Sequence, residues 1–294
     1  MRQYLFLAIA GACSTVAAQT PATNPMPDGS RDMYIGLGVQ SLPRYDGAHD
    51  NLVRPLPVLQ VQWSNGIFVS GTSLGWHLSQ SPAMEFGPML TLAPRRDEDG
   101  LSYGSGSVSD GAGSRIGFQS TRPEGFASKN ADVAESSNRL QNMDVIKRRI
   151  VAGGFFNYYL SPKLRLTNTL VYGSGSGHNG ARLHTAVQYM MENVVPHHTL
   201  VMSAGVSVVN RTYNETWFGV TQEEADRGAA KGEYRPGAGV QEVRAGLRWN
   251  WALSPNWMLT SGATANRLVG DAKNSPLVER ATNYSVSTAL AYRF

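Results

Sequence analysis

The 294-residue chain holds a single cysteine, Cys13, and it lies close to the start. If that residue leaves with a processed leader, the mature protein has no thiol. A disulfide scaffold, a thiolate zinc site and a cysteine nucleophile are then excluded together. Charge is also sparse, at 16% of residues with a formal net of +4, and the basic residues are scattered. No lysine–arginine block argues for nucleic acid. Beyond the N-terminal region no apolar run reaches the 18 or so residues of a membrane helix. Glycine, by contrast, is abundant, with 31 copies. That composition fits a secreted sandwich, or a membrane barrel whose apolar residues are hidden by alternation.

The opening "MRQYLFLAIAGACSTVAA" carries Arg2, then an apolar run from Tyr4 to Ala12, then small residues. The run is too short to span a bilayer, and Val16-Ala17-Ala18 fits a small-x-small cleavage site. Cleavage is expected between Ala18 and Gln19, giving a signal peptide at 1–18, a flexible mature N-terminus at 19–30 and one domain at 31–294. Ala10-Gly11-Ala12 before Cys13 lacks the large aliphatic residue of a lipid-attachment site, which leaves lipidation a minor alternative.

Periodicity decides the fold class. In "VRAGLRWNWAL", Val243, Ala245, Leu247, Trp249, Trp251 and Leu253 share one parity, while Glu242, Arg244, Gly246, Arg248 and Asn250 take the other. Period two gathers the apolar side chains on one face of a strand and would scatter them around a helix. Leu164–Tyr172, Leu183–Met191 and Leu200–Val208 repeat the rule; Ile150–Leu160 follows it, blurred by Val151 and Phe155. About eleven such stretches occur, many of about ten residues or more, whereas globular strands run about 5–6 and membrane-barrel strands about 9–11. Short links such as 64–66, 160–163 and 253–256 alternate with long polar ones near 95–144 and 211–238.

The expected fold is therefore all-β: a closed antiparallel transmembrane β-barrel with short periplasmic turns and long extracellular loops. Bacterial single-chain barrels have even strand numbers, so twelve strands are expected, ten being the alternative. The missing strand would lie near Ser114 to Thr121 or in the N-terminal region. Charges facing the bilayer midplane cost roughly 2–4 kcal/mol each, so Arg165, Arg182, Glu242, Arg244 and Arg248 are assigned to the lumen. They form either an internal salt-bridged plug, the favoured reading, or the lining of a small pore for polar or anionic solutes. Trp63, Trp257 and Tyr292 read as interface girdle residues.

A search for catalytic or metal chemistry finds little. His178 in "GSGSGHNG" lies near Ser174 and Ser176 without a nucleophile motif. Adjacent His197 and His198 point apart on a strand and read as solvated turn residues rather than a metal pair. "RRDEDG" (95–100) lacks the spacing of a calcium loop and reads as a solvated loop root, and "GSGSVSDGAGS" (104–114) has no phosphate-loop ending. No catalytic, cofactor or metal site is expected.

Four stretches carry a family likeness: "GLGVQSLPRYDGA" (36–48), "RPLPVLQVQW" (54–63), "WFGVTQEEADRG" (217–228) and "NRLVGDAKNSPLVE" (266–279), followed by the final "LAYRF". Through them the chain resembles the MltA-interacting protein (MipA)/OmpV family of Gram-negative outer-membrane proteins, over nearly all of its mature length. The loop from Arg95 to Asp144 departs from the family pattern by a serine- and glycine-rich insertion. The resemblance implies a non-enzymatic scaffold linking a murein transglycosylase to a peptidoglycan synthase, or a surface adhesin. A scaffold would use periplasmic turns and an adhesin the long outer loops. The last strand adds an address: Leu290, Tyr292 and the terminal Phe294 are the pattern expected to be read by the barrel-assembly machinery before insertion into outer-membrane lipid.

Overall fold

The computed structural model describes residues 31–78, 81, 83–102, 139–173, 180–229 and 232–294. The Ala18–Gln19 junction, His178, residues 104–114 and the region 114–121 lie outside the described residues.

In chain order the elements are β1 (Arg31–Pro43), β2 (Asn51–Trp63), β3 (Ile67–Ser70), β4 (Ser73–Trp76), β5 (Met84–Ala93), β6 (Arg95–Asp97), β7 (Gly100–Ser102), β8 (Arg149–Ser161), β9 (Leu164–Gly173), β10 (Gly180–Glu192) and β11 (His198–Val209). Helices α1 (Arg211–Phe218) and α2 (Gln222–Asp226) follow, then β12 (Gly239–Ala252), β13 (Trp257–Leu268), α3 (Gly270–Lys273) and β14 (Thr282–Arg293). All strands except β6 and β7 join one closed antiparallel barrel of twelve strands, which β1 and β14 seal. Closure is what lipid demands, because hydrocarbon offers no partner to a free backbone edge. The twelve are reached without residues 114–121: β1 supplies the N-terminal strand, and the stretch 67–76 is divided into two very short ones.

Side-chain alternation matches the parity in the sequence. Leu183, Val187, Leu247, Tyr284, Val286 and Leu290 are exposed on the outer wall, while Ala289 and Ala291 are buried inside. The blur at Val151 and Phe155 has a physical cause: both are buried in the lumen, where apolar packing replaces polar lining. A bulge opposite Ser207 and Val208 resets the parity of β12, so Gln241 and Glu242 are both buried and Val240 is exposed. At the closing seam a Cβ on Gly38 would lie 2.1 Å from the Thr288 carbonyl oxygen, so only glycine permits that approach.

One section of the wall is different. β3 and β4 have four residues each, about 13 Å of strand, too short for an apolar band about 25 Å tall. β3 pairs with β2 only over Gln60–Gln62, whereas β2 pairs with β1 from Asn51 to Trp63.

Candidate functional site

Two ends and a lumen have to be considered. In the lumen, neighbouring strands place His184, Ser207 and Glu242 in register, β10 beside β11 beside β12. The Arg182 guanidinium donates to Glu242 Oε1 at 2.5 Å and to Ser207 Oγ at 3.0 Å. Arg244 reaches the same carboxylate oxygen at 3.2 Å. One buried carboxylate thus compensates two guanidiniums, with Ser207 donating to it at 3.1 Å. From the cap above, Tyr213 hydrogen bonds Arg182, and Asp46 adds its charge nearby.

A serine, a histidine and a glutamate within hydrogen-bond reach invite comparison with a hydrolytic triad. The order is wrong. In a triad the histidine bridges serine and acid; here Ser207 bridges His184 Nδ1, at 2.7 Å, and Glu242. Because the serine hydroxyl donates to the carboxylate, the network assigns the proton of that histidine contact to Nδ1, and the imidazole is a donor rather than a base. Ser207 is also 0% exposed. The trio is an ion-pair support.

The five lumen residues chosen from sequence are not one network. Arg182, Glu242 and Arg244 meet, but Arg165 stands with Gln188 at 2.9 Å and the Tyr159 hydroxyl at 3.2 Å, where Tyr159 also bonds Glu85. Arg248 is close enough to feel the charge of Arg165. Sequence reasoning passed over His184 and Ser207, although they share the inward parity of Arg182 and Glu242. On β3, β8 and the link after β4, Phe68, Phe155 and His77 form an aromatic cluster, with ring centroids 4.9 to 5.7 Å apart.

The outer mouth carries a second hydrophobic core. Leu42 comes from the end of β1, Tyr45 and Ala48 from the β1–β2 loop, Leu101 from β7, Leu140 and Met143 from the β5–β8 loop, Val220 and Ala229 from the β11–β12 loop, and Leu277 from the β13–β14 loop. Four loops rooted around the ring therefore pack together over the mouth. Hydrogen bonds tie them: Arg96 Nη1 to the Trp217 carbonyl at 2.6 Å, Arg139 Nη1 to the Pro276 carbonyl at 3.1 Å, and Ser275 Oγ to the Phe218 carbonyl at 2.7 Å. α2 begins with a capping box between Thr221 and Glu224, and Glu224 also accepts from Asp144 N at 2.9 Å. Gly47, at φ +96°, turns the first loop beneath Val278. Burial pulls the Arg96 guanidinium down to about 10 against the nearby Glu224 and Asp144 carboxylates. Tyr45 is pushed up by burial and by Glu279.

Two readings from the sequence change here. "RRDEDG" is a hairpin that sends Arg96 into the cap, rather than a wholly solvated loop root. The stretches 36–48, 217–228 and 266–279 run into the same cap, so three of the four quoted motifs converge in space.

At the other end the links are short and rimmed by aromatics. Trp257, Tyr292 and Phe294 stack edge to face, with centroids 5.1 and 4.9 Å apart. His198 lies stacked on Trp249 and Trp251 and accepts from Trp249 Nε1 at 2.9 Å, so it belongs to this girdle and not to a solvated turn. His197 is exposed, at φ +69°. Among the described residues no cluster of three or more metal-binding side chains occurs.

A closed twelve-strand barrel with an apolar outer wall, an aromatic girdle, short turns at one end and a loop cap at the other defines an outer-membrane β-barrel protein. The chain belongs to the family of MltA-interacting protein MipA, whose family model matches residues 35–294. Among curated relatives, outer membrane protein Omp26La of Vibrio anguillarum is 34% identical over 95 residues, 32% of this chain and 36% of the relative. Outer membrane protein OmpV of Vibrio cholerae is 32% identical over 95 residues, with the same coverage. The matched stretch thus spans about a third of each relative. Among solved structures, the KdgM porin aligns with 90% of this chain and 99% of its own at a TM-score of 0.42 and 7% identity.

Proposed function

We propose that this outer-membrane barrel is a non-enzymatic binding protein of the cell envelope, whose lumen carries no solute. The observation that supports this reading is the cap: four loops share one buried core across the outer mouth, directly above a lumen occupied by ion pairs. A barrel built to conduct would need its arginines facing free water, whereas Arg182 and Arg244 are committed to Glu242. The cap is then the binding face turned outward, as a surface adhesin requires.

A second reading follows the family name, which points to a murein transglycosylase as partner, with a peptidoglycan synthase beyond it. Such a scaffold would bind at the periplasmic rim, and the β10–β11 turn offers a contact there: Val194 and Val195 are 57% and 55% exposed. Pull-down from solubilised envelopes separates the two. Recovery of a murein enzyme by the wild-type chain, lost in Val194→Asp/Val195→Asp, supports the scaffold. Recovery of none, with retained binding of the cap to a surface ligand, supports the outward-facing reading.

A further inference from the structure

The outer wall of the barrel is almost free of charge. Of the barrel-strand side chains described, the one guanidinium, ammonium or carboxylate on the outward parity is that of Arg267, in β13. It lies between Val243 of β12 and Thr282 of β14 and is exposed, while the following Leu268 is buried. Its Nη1 donates to Thr282 Oγ1 at 3.4 Å.

Its height follows from the girdle at the other end of the same strand, where Trp257 is exposed. From Trp257 to Arg267, at about 3.4 Å per residue and a tilt of about 40°, the strand climbs about 26 Å, against an apolar band about 25 Å tall. Arg267 therefore stands at the outer edge of the band, at the level of the lipid headgroups, where an outward arginine is tolerated.

The surroundings of Arg267 are cationic. The β13–β14 connection adds Lys273 and Arg280, and its two acids are engaged by the cap. Asp271 Oδ2 accepts from Gly237 N at 2.7 Å. Glu279 accepts from His49 N at 2.8 Å and faces Arg139 at 4.0 Å. Arg280 lies two residues before Thr282, where its backbone N–H is held by the Gly47 carbonyl, and its Nε is buried without a partner among the described residues.

Below Arg267 the wall forms a shallow groove. Ala265, Ala263 and Ser261 are its floor on β13, with Val243 and Leu247 along one side and Tyr284 and Val286 along the other. Tyr284 and Val286 are 56% and 57% exposed. A guanidinium matches phosphate oxygens with parallel hydrogen bonds. A free anion would use only the cations, and a soluble partner would not descend onto the apolar wall. A molecule in which phosphate is joined to acyl chains fits both parts.

We propose that β13 and the β13–β14 connection seat one phosphate-bearing lipid of the outer leaflet, its phosphate on Arg267 and Arg280 and an acyl chain over Ala265 and Ala263. The site follows from the barrel's place in the outer membrane and is independent of what the cap binds.

The test uses the full folded chain in dodecyl maltoside, freed of lipid by detergent exchange, with bis-phosphorylated lipid A as the probe. Native mass spectrometry counts the lipid retained, and heat-modifiable electrophoresis checks folding. The wild-type chain is expected to keep one lipid A and to keep the dephosphorylated lipid several-fold less. Arg267→Gln/Arg280→Gln should lower retention of lipid A several-fold. Arg235→Gln, which removes a cap arginine paired with Glu233, should leave it unchanged. Ala263→Phe, which fills the groove and spares both arginines, should lower it as well. Retention that survives the double arginine substitution would overturn the proposal, and equal loss in Arg235→Gln would replace it by diffuse charge attraction. Displacement of the lipid by equimolar inorganic phosphate would overturn the lipid as occupant and assign the cations to the free anion. Full retention in folded Ala263→Phe would overturn the acyl seat.

Discussion

The barrel wall from β10 to β12 and the wall from β2 to β5 solve the same problem by different means. On the first, strands of twelve to fourteen residues are paired along nearly their full length, and the lumen they enclose is held by Glu242 between two arginines. On the second, two four-residue strands fill the wall only low down, and Phe68, His77 and Phe155 pack behind them without an ion pair. Length supplies register and backbone bonds. Where length is missing, aromatic packing keeps the wall closed.

The largest test of this contrast falls on the charged side. Glu242→Ala leaves the part-buried Arg182 and Arg244 without their shared, buried carboxylate, so a loss of about 3 kcal/mol, the low end for a buried pair, is expected in urea unfolding from vesicles. A loss under about 1 kcal/mol, the size of a surface pair, would show that water compensates the arginines. On the aromatic side, Phe68→Ala should cost about 3 kcal/mol, the low end for such a truncation, because the short hairpin can relax into the cavity. If both substitutions unfold the same amides, the two sectors are one unit. Native-state hydrogen exchange sharpens the contrast without mutation: β3 and β4 amides should exchange through local opening, well before those of β11 and β12.

The smallest effect belongs to the cap. Tyr45 is held neutral by burial and by Glu279, so its folded pKa lies above its ordinary value of 10.0. A raised folded value means that its stabilising contribution is complete below pH 10 and is lost as pH rises further. Tyr213 and Tyr234 of the same cap are also raised by burial, so phenolate absorbance should show a group of tyrosines that ionises late. Tyr45→Phe should reduce the amplitude of that late step by one tyrosine and leave the barrel intact.

Much of the wall was legible in the sequence because lipid imposes a strict period of two on any strand that crosses it. Arg182, Glu242 and Arg244 could be placed in the lumen from parity alone. Their division from Arg165 could not, since register across several strands depends on turns and on the bulge at Gln241. His184 and Ser207 carried the right parity but not a charge, and so drew no attention. The β3–β4 hairpin was hidden for another reason: Leu74, Trp76 and Leu78 alternate like a full strand, and nothing local shows where pairing stops. Pro55 and Pro57 were the available sign, because proline is confined to sheet edges. The cap was least legible, since Leu42, Leu101, Leu140, Val220 and Leu277 lie far apart in sequence and meet only in space.

Planar-bilayer recording of the purified, folded chain tests the central claim most directly. A capped mouth above a lumen of paired charges predicts a silent membrane, without stepwise conductance at any holding potential the bilayer tolerates. Regular steps from the wild-type chain, lost when Arg244 and Arg248 are replaced by neutral residues, would show an open arginine-lined pore and contradict the account.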